Sequence, residues 1–191
     1  MQILQHKIIL ASKSPRRRQL LQQAGFEFEV RTREVEETFP PELPVEEVAA
    51  YLAMKKAEAV RDFLTGGDEI ILTADSVVIL NGKFYGKADN LADAAQMLRE
   101  LSGNVHEVIT GVCLLSAQKE VVFSGVSRVH FAELSEEEIQ YYVHNYEVLD
   151  KAGSYAIQEW IGLCCIEKIE GSYSNIMGLP MELVYQRLKE F

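Results

Sequence analysis

The sequence predicts an α/β protein with a mixed, partly antiparallel sheet flanked by helices. Two observations carry the prediction. Apolar segments of strand type interleave with segments of helical spacing along the whole chain. Several of the strand segments also follow one another across short turns, and such neighbours pair antiparallel. At 191 residues, 48% hydrophobic and 25% charged, the chain has the composition of a globular protein with a real core. No repeat, low-complexity tract or linker interrupts it, so residues 1–191 read as one domain.

Taken in order, Ile8-Ile9-Leu10 suits a buried strand. Ser14 then stands as a cap before Pro15, the favoured first residue of a helix, and Gly25 would end that helix after about Ala24. Phe26, Phe28 and Val30 alternate with polar residues as in a half-buried strand. Residues 32–44, with acids and three prolines, read as a loop. A long helix is expected from Pro44 to about Leu64, stopped by Gly66-Gly67, with Val48, Leu52, Val60 and Phe63 as its apolar stripe. Lys56 falls on that stripe, where it either snorkels outward or reaches into a cleft.

Glu69–Leu80 reads as a strand with Asp75 in its middle, and Asn81-Gly82 is a strong hairpin-turn signal. Asn90 would cap a helix to Leu101, stopped at Ser102-Gly103. Val105–Ser116 and Glu120–Phe131 read as two strands joined at Gln118-Lys119. Ser135 and Glu138 spell a capping box for a helix to about Asn145. Trp160–Ile169 reads as a further strand, and Pro180 opens a last helix.

The composition also excludes function classes. The net charge of 19 minus 29, or −10, disfavours a nucleic-acid partner. No apolar run is long enough to span a bilayer, and Met1–Lys7 lacks a secretory layout, so a cytoplasmic protein is expected. Cys113, Cys164 and Cys165 fit neither a disulfide framework nor a zinc site and read as reduced core residues. With the four histidines scattered, any metal would be a hard cation on carboxylates.

Three places could carry chemistry. Ser12-Lys13-Ser14-Pro15-Arg16-Arg17 lies where a strand gives way to a helix, and phosphate binds well at such an N-terminus with arginines at its mouth. The alternative is a capped helix with a solvated basic first turn, although cations there oppose the helix dipole. Asp75 is a carboxylate among strand residues, so it is a metal ligand or general base, or else an edge or bulge residue facing solvent. Glu36-Glu37 is an acidic pair that is either a solvated loop or, if it meets Asp75 in space, part of a cation site. Lys87 in Tyr85-Gly86-Lys87 could reach a phosphate as a point charge. His106 reads equally well as a satisfied strand residue.

Taken together these segments resemble the Maf family of nucleoside triphosphate pyrophosphatases. Ser12-Lys13-Ser14-Pro15-Arg16-Arg17, Lys56-Ala57, Thr73 to Val78, Tyr85-Gly86-Lys87, Leu101 to Gly111, Asp150 to Gln158 and Gly171 to Pro180 follow one another in that family's order. The resemblance implies hydrolysis of a nucleoside triphosphate to the monophosphate and pyrophosphate. It implies Asp75 as proton acceptor and Arg16, Ser76 and Gln158 as residues of base specificity. Ser12, Arg17, Lys56 and Lys87 would grip the triphosphate, and Glu36 or Glu37 would hold a divalent cation, Mg²⁺ or Mn²⁺, with Asp75. The Lys151-Ala152-Gly153 to Gln158 segment is similar to the branch acting on dTTP and UTP, and a glutamine amide suits a pyrimidine's imide edge. A fold like that of inosine triphosphate pyrophosphatases, two lobes around a deep cleft, and a homodimer are implied too, as is a link to septum formation. Three departures stand out: Ser76 where the family usually has Thr, Ala88 where Pro is common, and Glu159-Trp160 where Gly often follows the glutamine. The same reaction on 7-methyl-GTP or CTP, or a non-catalytic nucleotide sensor of cell division, are the competing readings.

Overall fold

The computed structural model describes residues 6–191. The start of the Met1–Lys7 segment considered above lies outside the described residues. Among the described residues seven strands form one mixed sheet in the order β2-β1-β3-β5-β6-β7, with β4 paired to β3. The strands are β1 (Lys7–Leu10), β2 (Phe28–Val30), β3 (Glu69–Leu80), β4 (Lys83–Tyr85), β5 (Val105–Leu115), β6 (Glu120–Phe131) and β7 (Ile166–Glu170). The helices are α1 (Pro15–Gln23), α2 (Val48–Ala59), α3 (Leu91–Leu101), α4 (Glu136–Asn145), α5 (Trp160–Cys164), α6 (Tyr173–Met177) and α7 (Met181–Leu188). Strand β1 runs parallel to both β2 and β3, whereas β3–β4 and β6–β7 are antiparallel.

The described residues divide into two compact units. The first holds those up to Asp75 with Thr110–Gly125 and Gly178–Phe191, and the second holds Ser76–Ile109 and Val126–Met177. In the first unit, Ile9, Ile71, Cys113 and Leu115 of the sheet pack against Ala53 and Ala57 of α2 and against Val60. Small residues on that helix face let it lie close to the strands. Gly111 of β5 takes this to the limit, since a Cβ there would sit 2.3 Å from backbone atoms of Ala49 and Ala50. Cys113 is a core residue as expected, its thiol pushed up to about 12 by burial.

In the second unit, Ala94, Ala95, Leu98 and Leu101 of α3 and Ile139, Tyr142 and Val143 of α4 share a core with Val108, Val129 and Phe131. Each large aliphatic side chain fully buried here contributes roughly 1.5–3 kcal/mol. The capping signals read from sequence are realised. Ser14, Asn90 and Ser135 accept hydrogen bonds at their helix starts, Ser135 within a complete capping box. Asn81 and Gly82 both have positive φ, 52° and 76°, as a two-residue hairpin turn needs.

Three expectations are corrected. The helix from Pro44 to Leu64 is instead a 3₁₀ turn at Val45–Glu47, α2, and a second 3₁₀ turn at Arg61–Phe63. It ends early because Val60 leaves helical geometry at φ −120°, and Arg33 donates to the terminal Ala59 carbonyl at 2.6 Å. The strand expected over Trp160–Ile169 begins only at Ile166, because Trp160–Cys164 is helical. There Ile161 and Cys165, four apart, are buried while Leu163 is 78% exposed, which is helical rather than strand periodicity. Cys164, on that helix, is exposed rather than in the core.

Candidate active site

Strand β3 lies between β1 and β5 in the sheet, so Asp75 is an interior-strand carboxylate and not an edge residue. Residues two apart on a strand share a face, and Thr73 and Asp75 both turn toward α2. The Thr73 hydroxyl donates to the Ala53 carbonyl at 2.6 Å. One turn further along α2, Lys56 brings its ammonium onto Asp75 Oδ1 in a short hydrogen bond. The two side chains are 17% and 13% exposed, so the pair is largely withdrawn from water. Thr73 thus holds the helix against the sheet one turn from where Lys56 meets Asp75, and Gly111 lets the start of the same helix seat closely at Ala49 and Ala50.

The acidic loop reaches the same point because α2 tethers it. Arg33 forks onto Asp62 with two bonds of 2.8 Å. Lys55 donates to the carbonyl and hydroxyl of Thr38 at 2.9 and 2.8 Å. Between these anchors, Glu37 Oε1 accepts from Lys56 Nζ at 2.7 Å. One ammonium therefore stands between two carboxylates, those of Asp75 and Glu37. Glu36, the other candidate, is exposed.

The β1–α1 junction is built as a compact polar turn. Ser12 is buried, and its hydroxyl accepts from the Ser14 amide at 3.2 Å and from Arg17 Nη1 at 3.3 Å. Arg17 Nε donates to the Gly178 carbonyl at 2.7 Å, which ties this junction to the chain just before α7. Burial pulls the Arg17 guanidinium below its ordinary value, while the charges of Asp75 and Glu37 pull it up and that of Arg16 pulls it down. Arg17 is thus within electrostatic reach of the carboxylate pair. Arg18, the third of the arginines, is exposed.

The second unit carries the other candidates. Ser76 follows Asp75 on β3 and is partly buried, and Lys87 is exposed just after β4. Gln158 sits in a turn that the Glu159 amide closes onto the Ala156 carbonyl at 3.1 Å. Its Oε1 is buried and has no hydrogen-bond partner among the described residues. His106 is a core residue, with Nε2 2.7 Å from the Tyr155 hydroxyl. Burial, with a smaller contribution from His130, lowers it to about 3, so it stays neutral at physiological pH.

The first unit therefore brings Ser12 together with Arg17, and Lys56 together with Asp75 and Glu37. Among the described residues no group of three or more His, Cys, Asp or Glu side chains is placed to hold a metal ion. Sequence reasoning missed Thr73, which its two-residue spacing from Asp75 could have revealed. It also missed the buried contacts of Lys151, Tyr142 and Glu159, which no local pattern announces.

Comparison with known proteins gives the chain's family and its fold relatives. The family described as Maf-like protein matches residues 7–191. The chain is 52% identical over 186 residues to a dTTP/UTP pyrophosphatase of Phocaeicola vulgatus, covering 97% of this chain and 96% of that one. It is 47% identical over 188 residues to a dTTP/UTP pyrophosphatase of Porphyromonas gingivalis, covering 97% and 94%. Among solved structures, the Ham1 protein of Staphylococcus aureus superposes with a TM-score of 0.55 at 17% identity, covering 96% of this chain and 98% of that one. A HAM1 protein from Coxiella burnetii gives 0.53 at 16%, covering 97% and 99%; at these identities the likeness speaks for the fold alone. On its sequence match, this chain belongs to the Maf-like protein family.

Proposed function

We propose that this chain hydrolyses dTTP and UTP between the α and β phosphorus, releasing the nucleoside monophosphate and pyrophosphate. The observation that carries the proposal is the Asp75–Lys56–Glu37 cluster, its Asp75–Lys56 pair largely withdrawn from water, within electrostatic reach of the Arg17 guanidinium at the β1–α1 junction. Relatives at 46 to 52% identity that bear the name dTTP/UTP pyrophosphatase support it.

Asp75 and Glu37 fit a hard divalent cation, Mg²⁺ or Mn²⁺. The Lys56 ammonium already marks a position of positive charge between their carboxylates, and Mg²⁺ commonly takes one or two carboxylates while water and substrate phosphates complete its shell. Bound there, such a cation would supply Lewis-acid polarisation of a phosphate oxygen and a more acidic water. Asp75 Oδ would accept the proton of the attacking water. Lys56, Arg17 and Lys87 would offset the charge that grows on the leaving pyrophosphate, with the Ser12 hydroxyl orienting Arg17. Arg16, Ser76 and Gln158 would read the base. The buried, unpartnered Gln158 Oε1 suits the N3–H donor of uracil or thymine, and the amide NH₂ of the same side chain suits a neighbouring carbonyl.

A homodimer, residence in the cytoplasm and a link to septum formation belong to this proposal through the family resemblance. Among the described residues no helix is long and apolar enough to cross a membrane.

The test is pyrophosphate release from a panel of nucleoside triphosphates with Mg²⁺, with Mn²⁺ and without metal, on the native chain and on Asp75→Asn. Metal-dependent release from dTTP and UTP is expected, with Asp75→Asn losing turnover yet still binding nucleotide. Full turnover by Asp75→Asn would remove Asp75 from its role. Selective release from CTP or 7-methyl-GTP would overturn the base preference, and binding without any release would favour the sensor.

A further inference from the structure

The turn that carries Gln158 is held from both sides by one buried hydroxyl. Tyr142, fully buried on α4, accepts a hydrogen bond from the Ala156 amide at 3.1 Å and donates a short one to Glu159 Oε2. Residues 156 and 159 flank Gln158, so the phenol bridges the base of its turn. The other carboxylate oxygen, Glu159 Oε1, lies 3.4 Å from Lys151 Nζ, and Lys151 is only 4% exposed. Lys151 is held in turn by the Glu147 carbonyl and by Asp150 Oδ1 at 2.9 Å.

Packing closes the same turn from the α5 side. A Cβ at Gly162 would lie 1.9 Å from the Ile157 carbonyl oxygen, so α5 rests directly on the backbone before Gln158. Burial and the neighbouring Glu159 raise the Tyr142 phenol well above its ordinary value, which keeps its proton available for the carboxylate.

We propose that Glu159 is a specificity-positioning residue: with Tyr142 and Lys151 it staples the 156–159 turn and so fixes the direction of the Gln158 amide toward a pyrimidine base. The inference rests on the proposed function, in which Gln158 reads the base. Glycine or alanine at 159 would leave Tyr142 without its acceptor and the buried Lys151 ammonium without one of its two carboxylates. Of the two bonds that Tyr142 makes to the turn, only the one from the Ala156 amide would then remain. An amide free to rotate binds a base less well and discriminates less, because discrimination depends on donors and acceptors meeting their partners in fixed positions. Glu159 itself touches no substrate in this account; it acts through Gln158.

The experiment is steady-state kinetics on UTP, dTTP, CTP and GTP for the native chain, Glu159→Ala, Glu159→Gln and Tyr142→Phe. Glu159→Ala is expected to raise KM for UTP and dTTP by roughly 3- to 10-fold, the worth of one hydrogen bond, with kcat close to native and a smaller preference over CTP. Glu159→Gln keeps an acceptor for Tyr142 and should restore most of the preference. Tyr142→Phe fills the same space without the hydroxyl and should repeat the KM shift even if Glu159→Ala fails to fold. An unchanged UTP-to-CTP preference in both Glu159→Ala and Tyr142→Phe would overturn the staple, as would an equal loss on every base. A native chain without pyrimidine-selective turnover would instead bring down the proposed function on which the staple rests.

Discussion

Adding one methyl group at Gly111 tests how tightly the carboxylate–lysine cluster depends on helix placement. A Cβ at that position would stand 2.3 Å from the Ala49 carbonyl carbon and from the Ala50 nitrogen, and 2.4 Å from the Ala49 oxygen. Ordinary contact begins at 3.4 Å, so the shortfall is 3.4 minus 2.3, or 1.1 Å, and every clashing atom is backbone. Helix α2 can relieve the clash only by moving away as a body. Overpacking of this kind costs about 1–3 kcal/mol, and with no flexible side chain to yield, the upper end is expected. For a chain of this size that corresponds to a fall in Tm of roughly 6–12 °C. Lys56 rides on the same helix, and a catalytic group displaced by about 1 Å can cost on the order of 100-fold in rate. Gly82→Ala is the control. Gly82 has φ +76° with no atom within 4 Å of its notional Cβ, so only backbone strain of about 1–2 kcal/mol applies. Thermal unfolding and kcat/KM on UTP would be measured for both variants. If Gly111→Ala melts no lower than Gly82→Ala and turns over at the native rate, the argument from helix placement is wrong.

Two other predictions follow from the geometry. Glu37→Gln should weaken Mn²⁺ binding, measured by calorimetry, and lower metal-dependent turnover at least 10-fold, on the order of one charge-assisted contact. Glu36→Gln should behave as the native chain, since Glu37 is the one that reaches Lys56; equal effects would refute the distinction. His106 predicts a pH dependence of stability. Its folded value of about 3 lies below the unfolded value near 6.5, so between those limits the unfolded chain binds more protons. Stability is therefore held above about pH 6.5 and lost as pH falls toward 3, by at most about 1.4 kcal/mol per pH unit from this residue. Denaturant titrations of the native chain and His106→Gln should show a shallower slope in the variant, and identical slopes would contradict the assignment.

The local devices of the fold were legible in the sequence because each depends on residues a few positions apart. Ser14-Pro15, Asn90, Ser135 with Glu138, and Asn81-Gly82 all do in the structure what their chemistry demands. The two misread segments fail for the opposite reason. The run from Trp160 to Ile169 is apolar enough for a strand, but the close seat of Gly162 on Ile157 winds its first half into α5. The helix expected to reach Leu64 stops at Ala59, where Arg33, 26 residues earlier, takes the terminal carbonyl. The site was legible in its parts but not in its assembly. Asp75 stood out as a charge inside a strand, and Lys56 as a charge on an apolar stripe. That Glu37 rather than Glu36 meets them depends on Lys55 and Arg33 tethering a loop to α2 across long stretches of chain. Nothing local marked Glu159 as part of a buried network, since its partners Tyr142 and Lys151 lie 17 and 8 positions away.

The most direct measurement of cleavage between the α and β phosphorus of a pyrimidine triphosphate is the product pattern by phosphorus NMR when UTP is incubated with the protein and Mg²⁺. UMP and pyrophosphate appearing together in equal amounts is the predicted result. UDP with inorganic phosphate, or unchanged UTP, would contradict it.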